Sequence, residues 1–220
     1  MADAKISVTD LDRFEAYLAN DDASLAEYVW NLVNGTPSNY KMEAGTRFHD
    51  LLDRMTTGKQ VPWVLEREWT ILPSVELLSP DVTEFAIREE IPVSDCRWDK
   101  VLLSGRMDAI CGPVIVDYKT TDGPIRLDRY FDSWQWRAYM LLVPDAREFR
   151  YDVFQWKFQD SNCPAPKSPK DVVDWKRLVI SRPDDVERKV TEIVERYLRF
   201  LMFVEDNGMA RMTGQGLKGV

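Results

Sequence analysis

Hydrophobic positions along the chain change period several times, and each change marks an element. The opening stretch carries two capping pairs, Ser7 with Asp10 and Ser24 with Glu27, each leading into mixed apolar residues, so two short helices are predicted. A third is predicted from about Asn39. Ala44, Phe48, Leu51, Leu52 and Met55 share one face of it, Gly45 and His49 lie one turn apart on a neighbouring face, and Gly58 supplies a stop. From Val61 the period becomes two: Val61, Trp63, Leu65, Trp69 and Ile71 alternate, and so do Phe85, Ile87, Ile91 and Val93. Strands are predicted for both runs, and for residues 101–110 and 114–120, which the turn pair Gly112-Pro113 separates.

Helical spacing returns over residues 127–143, where Phe131, Trp134, Ala138, Leu141 and Leu142 are apolar and Pro144 forbids continuation. Residues 149–158 alternate again, the Pro-rich stretch 163–170 reads as a loop, and 174–180 as a short strand. From about Pro183 the residues Val186, Val190, Ile193, Val194, Tyr197, Leu198 and Leu201 draw a continuous stripe, which predicts a long last helix. Residues 1–206 thus read as a single α/β domain with N-terminal helices and a C-terminal long helix. Residues 207–220, with four glycines, two basic residues and no acidic one, read as a flexible basic tail.

Composition narrows the class. Of 220 residues, 45% are hydrophobic and 30% charged, the balance of an ordinary globular protein. No stretch is long and apolar enough to span a bilayer and the first residues lack an apolar leader, so a cytoplasmic protein without membrane contact is expected. Cys96, Cys111 and Cys163 are odd in number and far apart, which points to neither a disulfide framework nor a cysteine metal cluster. The net charge of −8 at first argues against a polyanionic partner. It is unevenly placed: residues 1–100 carry −9 and residues 101–220 carry +1.

The chemistry concentrates in the hairpin. A two-residue turn at Gly112-Pro113 pairs 111 with 114 and places Asp108 opposite Asp117, with Lys119 on the same face; a loop one residue longer would send Asp108 to the other face. Opposed carboxylates repel unless a cation lies between them. An all-oxygen pair suits Mg²⁺ or Mn²⁺, as one ion or two, which would polarise a phosphate while Lys119 orients water or stabilises transition-state charge. A surface strand decorated with Asp and Lys would show the same letters. Glu89 and Glu90, on the strand before the hairpin, are further candidate carboxylates.

The string Gly105-x-x-Asp108, a hairpin, then Asp117-Tyr118-Lys119-Thr120 resembles the core of the PD-(D/E)XK nuclease superfamily, in its RecB-like and phage exonuclease branch. Glu43-x-Gly45-x-x-x-His49 is similar to the upstream helix motif of that branch, and Gln135-x-x-x-Tyr139 to its downstream one. Met107 departs from the proline of the superfamily's name, and Asp117 stands where glutamate is commoner; neither removes a ligand.

The resemblance implies a restriction-endonuclease-like core, a mixed central sheet flanked by helices. It implies metal ligands His49, Asp108, Asp117 and the backbone carbonyl of Tyr118, catalytic Asp108, Asp117 and Lys119, and substrate contacts from Gln135 and Tyr139. No iron–sulfur cluster is expected, because the cysteines that hold one in some relatives have no counterpart. The implied activity is a metal-dependent deoxyribonuclease, an exonuclease acting on single- or double-stranded DNA ends in recombination, repair or replication of a phage or mobile element, in the host cytoplasm if phage-encoded, with a recombination or replication protein as a conceivable partner. A nuclease fold that binds nucleic acid or a protein without chemistry is the alternative. Polarity, strand preference and oligomeric state are not written in the sequence.

Arg126, Arg129, Arg137, Lys157, Lys176 and Arg177 are candidate phosphate contacts, and Trp134 and Trp136 candidate stacking residues, against a reading of solvated charge and core.

Overall fold

The computed structural model describes residues 3–72, 74–94, 97–160 and 168–209. Its centre is a seven-stranded mixed sheet with helices on both faces. In chain order the elements are β1 (Ala4–Ser7), α1 (Val8–Leu18), α2 (Leu25–Asn34), α3 (Tyr40–Thr57), α4 (Trp63–Glu68), β2 (Trp69–Thr70), β3 (Val82–Glu90), β4 (Val101–Cys111) and β5 (Val114–Thr121). They continue with α5 (Leu127–Asp132), α6 (Gln135–Leu142), β6 (Glu148–Phe158), β7 (Lys170–Ser181) and α7 (Val186–Asp206).

One apolar layer joins α1, α6 and α7 to the sheet through Leu11, Phe14, Met140, Leu142, Tyr197 and Leu198. The other joins α3 through Ala44, Phe48, Leu51 and Leu52 to Val116, Tyr118, Phe154 and Trp156. Met55, counted on the core face of α3, is instead exposed. Both predicted caps form: Ser7 and Asp10 make a reciprocal capping box, and Ser24 accepts the Glu27 N–H. Asn39 caps α3 and Gly58 closes it in a left-handed conformation, φ +67°.

Four elements differ from the pattern-based reading, each for a tertiary reason. β1, read as part of the helical opening, is a strand that pairs in parallel with β4, Ala4 beside Val101. The alternation from Val61 is not a strand over most of its length, since α4 occupies it and only Trp69 and Thr70 are extended. The residues that α4 and its end bury are Leu65, Glu68 and Trp69, a helical spacing that the buried Glu68 disguised as polar. Glu68 is tolerated inside because Lys170 lies 3.0 Å from it and Arg47 donates to it at 2.7 Å. β7 is much longer than the segment 174–180 and begins at Lys170, the residue that pays into this ion pair.

The predicted helix over 127–143 is two helices. At Ser133 the backbone is extended, and the carboxylate of Asp12, on α1, accepts the Trp134 N–H at 2.7 Å and the Ser133 hydroxyl at 2.9 Å. The Arg137 guanidinium meanwhile donates to the carbonyls of Phe131, Asp132 and Ser133, so both broken ends find partners. Residues 163–167 of the predicted loop, and the tail from residue 210, lie outside the described residues.

The hairpin agrees with its reading. Gly112 has φ +55°, the angle the first position of the turn demands, and Cys111 pairs with Val114.

Candidate active site

The site is built around an interruption in the sheet. β3 pairs along β4 from Leu102 to Ile110, so β1 and β5 share the opposite edge of β4. β1 occupies that edge at residues 101–104 and β5 at residues 109–111. Between them Gly105, Arg106, Met107 and Asp108 have no strand partner on that side among the described residues. Backbone groups left this way need other partners. The Tyr139 hydroxyl donates to the Arg106 carbonyl at 2.7 Å, and the freed Tyr118 N–H donates to Asp108 Oδ2 at 2.8 Å.

The β4–β5 ladder stops at Ala109 with Val116, one step short of Asp108 and Asp117, so the register is the predicted one but the two acidic residues stand where the strands part. On the other side, Glu84 would pair with Asp108, yet that step is missing and Glu84 takes φ +51°. It is the non-glycine residue with positive φ among the described residues, a conformation costing about 1–3 kcal/mol. Asp108 is therefore released from both neighbouring strands.

Asp117 is 2% exposed, with the Lys119 ammonium 2.7 Å from Oδ2, an oxygen that is buried and accepts no aligned hydrogen bond. Burial pushes its carboxyl up to about 6 against the pull of Lys119. Burial works to lower the Lys119 pKa, but Asp117 and Asp108 outweigh it and hold it above its ordinary value, so the ammonium stays charged. His49, from α3, brings Nδ1 to 3.3 Å from Asp108 Oδ1 and sets its ring edge-on to Tyr118. For Asp108 burial would raise the pKa; the contact with His49 prevails and keeps it lowered.

Gly45 has a packing function here: a Cβ on it would lie 3.1 Å from Thr120 Oγ1, so its absence lets α3 ride close to β5 and carries His49 to the site. Gly105 does the same for Tyr139, which is buried and whose hydroxyl is already committed. Gln135, one turn earlier in α6, lines the same cleft.

These groups line one cleft of about 590 Å³, which includes His49, Asp108, Asp117, Lys119, Gln135 and Tyr139. The structure thus brings the side chains of His49, Asp108, Asp117, Lys119, Gln135 and Tyr139 to one cleft, and leaves the two further candidate carboxylates out of it. Glu89 and Glu90 are elsewhere, beside Ile91 and Leu141, and Glu90 pairs with Lys100 at 2.9 Å. Two expected phosphate contacts are spent internally, since Arg177 forks onto the buried Asp152 and Arg137 caps α5, whereas Arg126 and Lys176 stay at the surface beside Asp128 and Asp174. Trp136 is buried, with its indole N–H on the Phe131 carbonyl. The cleft contains two arginines that pattern reading passed over, Arg88 and Arg106; strand alternation would have placed Arg106 near Asp108.

A divalent ion fits the donor set in kind. The two carboxylates are hard oxygen donors, and Asp117 Oδ2 is a buried oxygen short of aligned partners. Among the described residues no three His, Cys, Asp or Glu side chains converge closely enough to make a cage alone. Mg²⁺ needs none, since it keeps several waters with one or two carboxylates. Nor, among the described residues, is any helix long and apolar enough to cross a membrane.

A family model described as the PD-(D/E)XK nuclease superfamily matches residues 12–202. No curated protein is matched by the sequence. Among solved structures, the crystal structure of SSO0001 is similar with a TM-score of 0.51 at 15% identity, over 90% of this chain and 76% of that one. LHK-Exo, crystallised with dAMP, gives 0.48 at 14% identity, over 96% and 93%. The architecture is that of the restriction-endonuclease-like fold, a mixed seven-stranded sheet flanked by helices.

Proposed function

Since the chain belongs to the PD-(D/E)XK nuclease superfamily, whose members are nucleases generally dependent on a divalent metal, we propose that it is a Mg²⁺- or Mn²⁺-dependent DNA exonuclease working through Asp108, Asp117 and Lys119. The observation that carries this reading is a carboxylate, Asp117, kept 2% exposed on an open cleft beside a second carboxylate and an ammonium 2.7 Å away. A fold spends stability on such a group where chemistry needs it.

Asp108, Asp117, His49 and the Tyr118 carbonyl would hold the ion. When bound, it would supply Lewis acidity toward the scissile phosphate and the attacking water. Lys119 is a fixed positive charge, not a proton acceptor, because its carboxylate neighbours keep it protonated. It would stabilise negative charge developing on the phosphate oxygens and orient the water. Asp108 is kept anionic by His49 and aimed by the Tyr118 N–H. Tyr139 acts on the site by holding the unpaired Arg106 carbonyl, and Gln135 shares the wall that substrate would meet.

DNA as substrate and digestion from ends rest on the likeness of the Asp117-Tyr118-Lys119 and Gln135-x-x-x-Tyr139 strings to the RecB-like and phage exonuclease branch. The test compares end-labelled linear DNA, single- and double-stranded, with covalently closed circles, in Mg²⁺ and in Mn²⁺. Linear DNA is expected to shorten from its ends while circles persist. Nicked circles would replace the exonuclease by an endonuclease, and intact DNA in every arm would overturn the nuclease reading.

A further inference from the structure

The cleft that contains Asp108 and Asp117 continues outward along β3 and β4, and its outer wall is basic. Arg106 stands two residues before Asp108 on β4. Arg88, on β3, lies beside Ser104, a further two residues along. Both arginines line the cleft. Arg106 has a side chain 71% exposed and Arg88 is exposed, so neither serves the core. Among the described residues Arg88 has no ion-pair partner, and Arg106 has one, Glu84 at 3.1 Å. In a chain of net charge −8, this is an uneven placement of positive charge, and it directly adjoins the acidic centre.

The spacing has chemical meaning. Alternate residues of a strand recur at roughly 6.7 Å, close to the phosphate-to-phosphate repeat of a nucleic-acid strand. A strand whose scissile phosphate lies at Asp108 and Asp117 would bring its next phosphate to Arg106 and the one after to Arg88. We propose that Arg88 and Arg106 form a phosphate-tracking rail that binds the nucleic-acid backbone on one side of the scissile bond, and that Glu84 holds Arg106 when no strand is present. The guanidinium fork suits this task, since it can donate two parallel hydrogen bonds to one phosphate. Glu84 adds an independent sign: the residue that pairs with Arg106 is also the one in the left-handed conformation opposite Asp108, so the break in the β3–β4 ladder and the arginine's tether are the same residue.

The inference rests on the nuclease reading, and one experiment separates the two. Binding of a fluorescein-labelled single-stranded oligonucleotide is followed by anisotropy from low to high NaCl, with Ca²⁺ in place of the active ion, for the wild type, R88A, R106A, the double variant and E84Q. Cleavage kinetics are measured alongside in Mn²⁺. Each arginine removed is expected to flatten the plot of log K against log salt by about 0.7, and the pair by about 1.4. KM should rise with kcat held within about twofold, and R106K should restore part of the binding. E84Q, which frees Arg106, should bind more tightly than the wild type at low salt. Unchanged affinity and slope in both arginine variants of a wild type that binds and cuts would overturn the rail and leave the nuclease. A loss of kcat with unchanged salt slope would also overturn it, since that describes damage to the site. A wild type that neither binds nor cuts would remove the nuclease reading itself.

Discussion

Gly105 and Tyr139 are fitted to each other: a Cβ on Gly105 would lie 2.5 Å from Tyr139 Cε1, and the tyrosine hydroxyl donates to the carbonyl of Arg106, the next residue. The glycine of the Gly105-x-x-Asp108 string and the tyrosine of the Gln135-x-x-x-Tyr139 string are therefore one device. It seals the stretch of β4 that neither β1 nor β5 covers and so fixes where Asp108 points. Gly105→Ala is expected to cost about 1–3 kcal/mol through overpacking, and Tyr139→Phe about 1 kcal/mol through the lost hydrogen bond. Urea denaturation reads both; a Gly105→Ala variant as stable as the wild type would show that the ring moves aside freely.

Lys119 and Asp117 should separate by phenotype although they touch. Lys119→Ala removes a transition-state charge and is expected to lower kcat by about 10²–10³, with metal binding largely retained in titration calorimetry. Asp117→Ala removes a ligand and should lose both metal binding and cleavage. Equal metal affinity in Asp117→Ala and the wild type would take Asp117 out of the metal site.

Asp12 sets the break between α5 and α6 from another helix, accepting from Ser133 and Trp134. Asp12→Ala removes this cap and should cost about 0.5–2 kcal/mol. Because Gln135 begins α6, KM should rise more than kcat falls, and Asp12→Asn should rescue part of the loss. A purely structural contribution would leave KM unmoved.

What could be read from the letters alone followed from locality. The β4–β5 register is legible because a two-residue turn fixes it within ten residues, and α3 and α7 because their stripes run for several turns. Asp108, Asp117 and Lys119 then come together as that register implies, and His49 joins them where the resemblance, not the helical pattern, had put it. The features that were not legible depend on distant partners. Nothing near residue 133 announces a break whose cap is Asp12, and Glu68 reads as a surface residue until Lys170 and Arg47 are beside it. Arg177 looked free for phosphate because Asp152, its bidentate partner, is on another strand. β1 offers only Ala4 and Ile6 as buried residues, too few to establish a period.

The buried pair predicts a stability effect remote from the cleft. Glu68 and Lys170 side chains are 1% and 0% exposed. Glu68→Ala removes the buried carboxylate shared by Lys170 and Arg47 and should cost about 3–5 kcal/mol. Replacing both by apolar residues, Glu68→Leu with Lys170→Met, should cost less than Glu68→Ala alone; the reverse order in urea denaturation would show that the pair is net stabilising.

The central claim, that Asp108, Asp117 and Lys119 form a metal-dependent phosphodiester-hydrolysing site, is tested most directly by assaying end-labelled DNA with wild type, Asp108→Ala, Asp117→Ala and Lys119→Ala side by side in Mn²⁺ and in excess chelator. Cleavage is expected from the wild type alone and is abolished by the chelator. Cleavage that persists in Asp117→Ala or in chelator, or a wild type as inert as its variants, would contradict it.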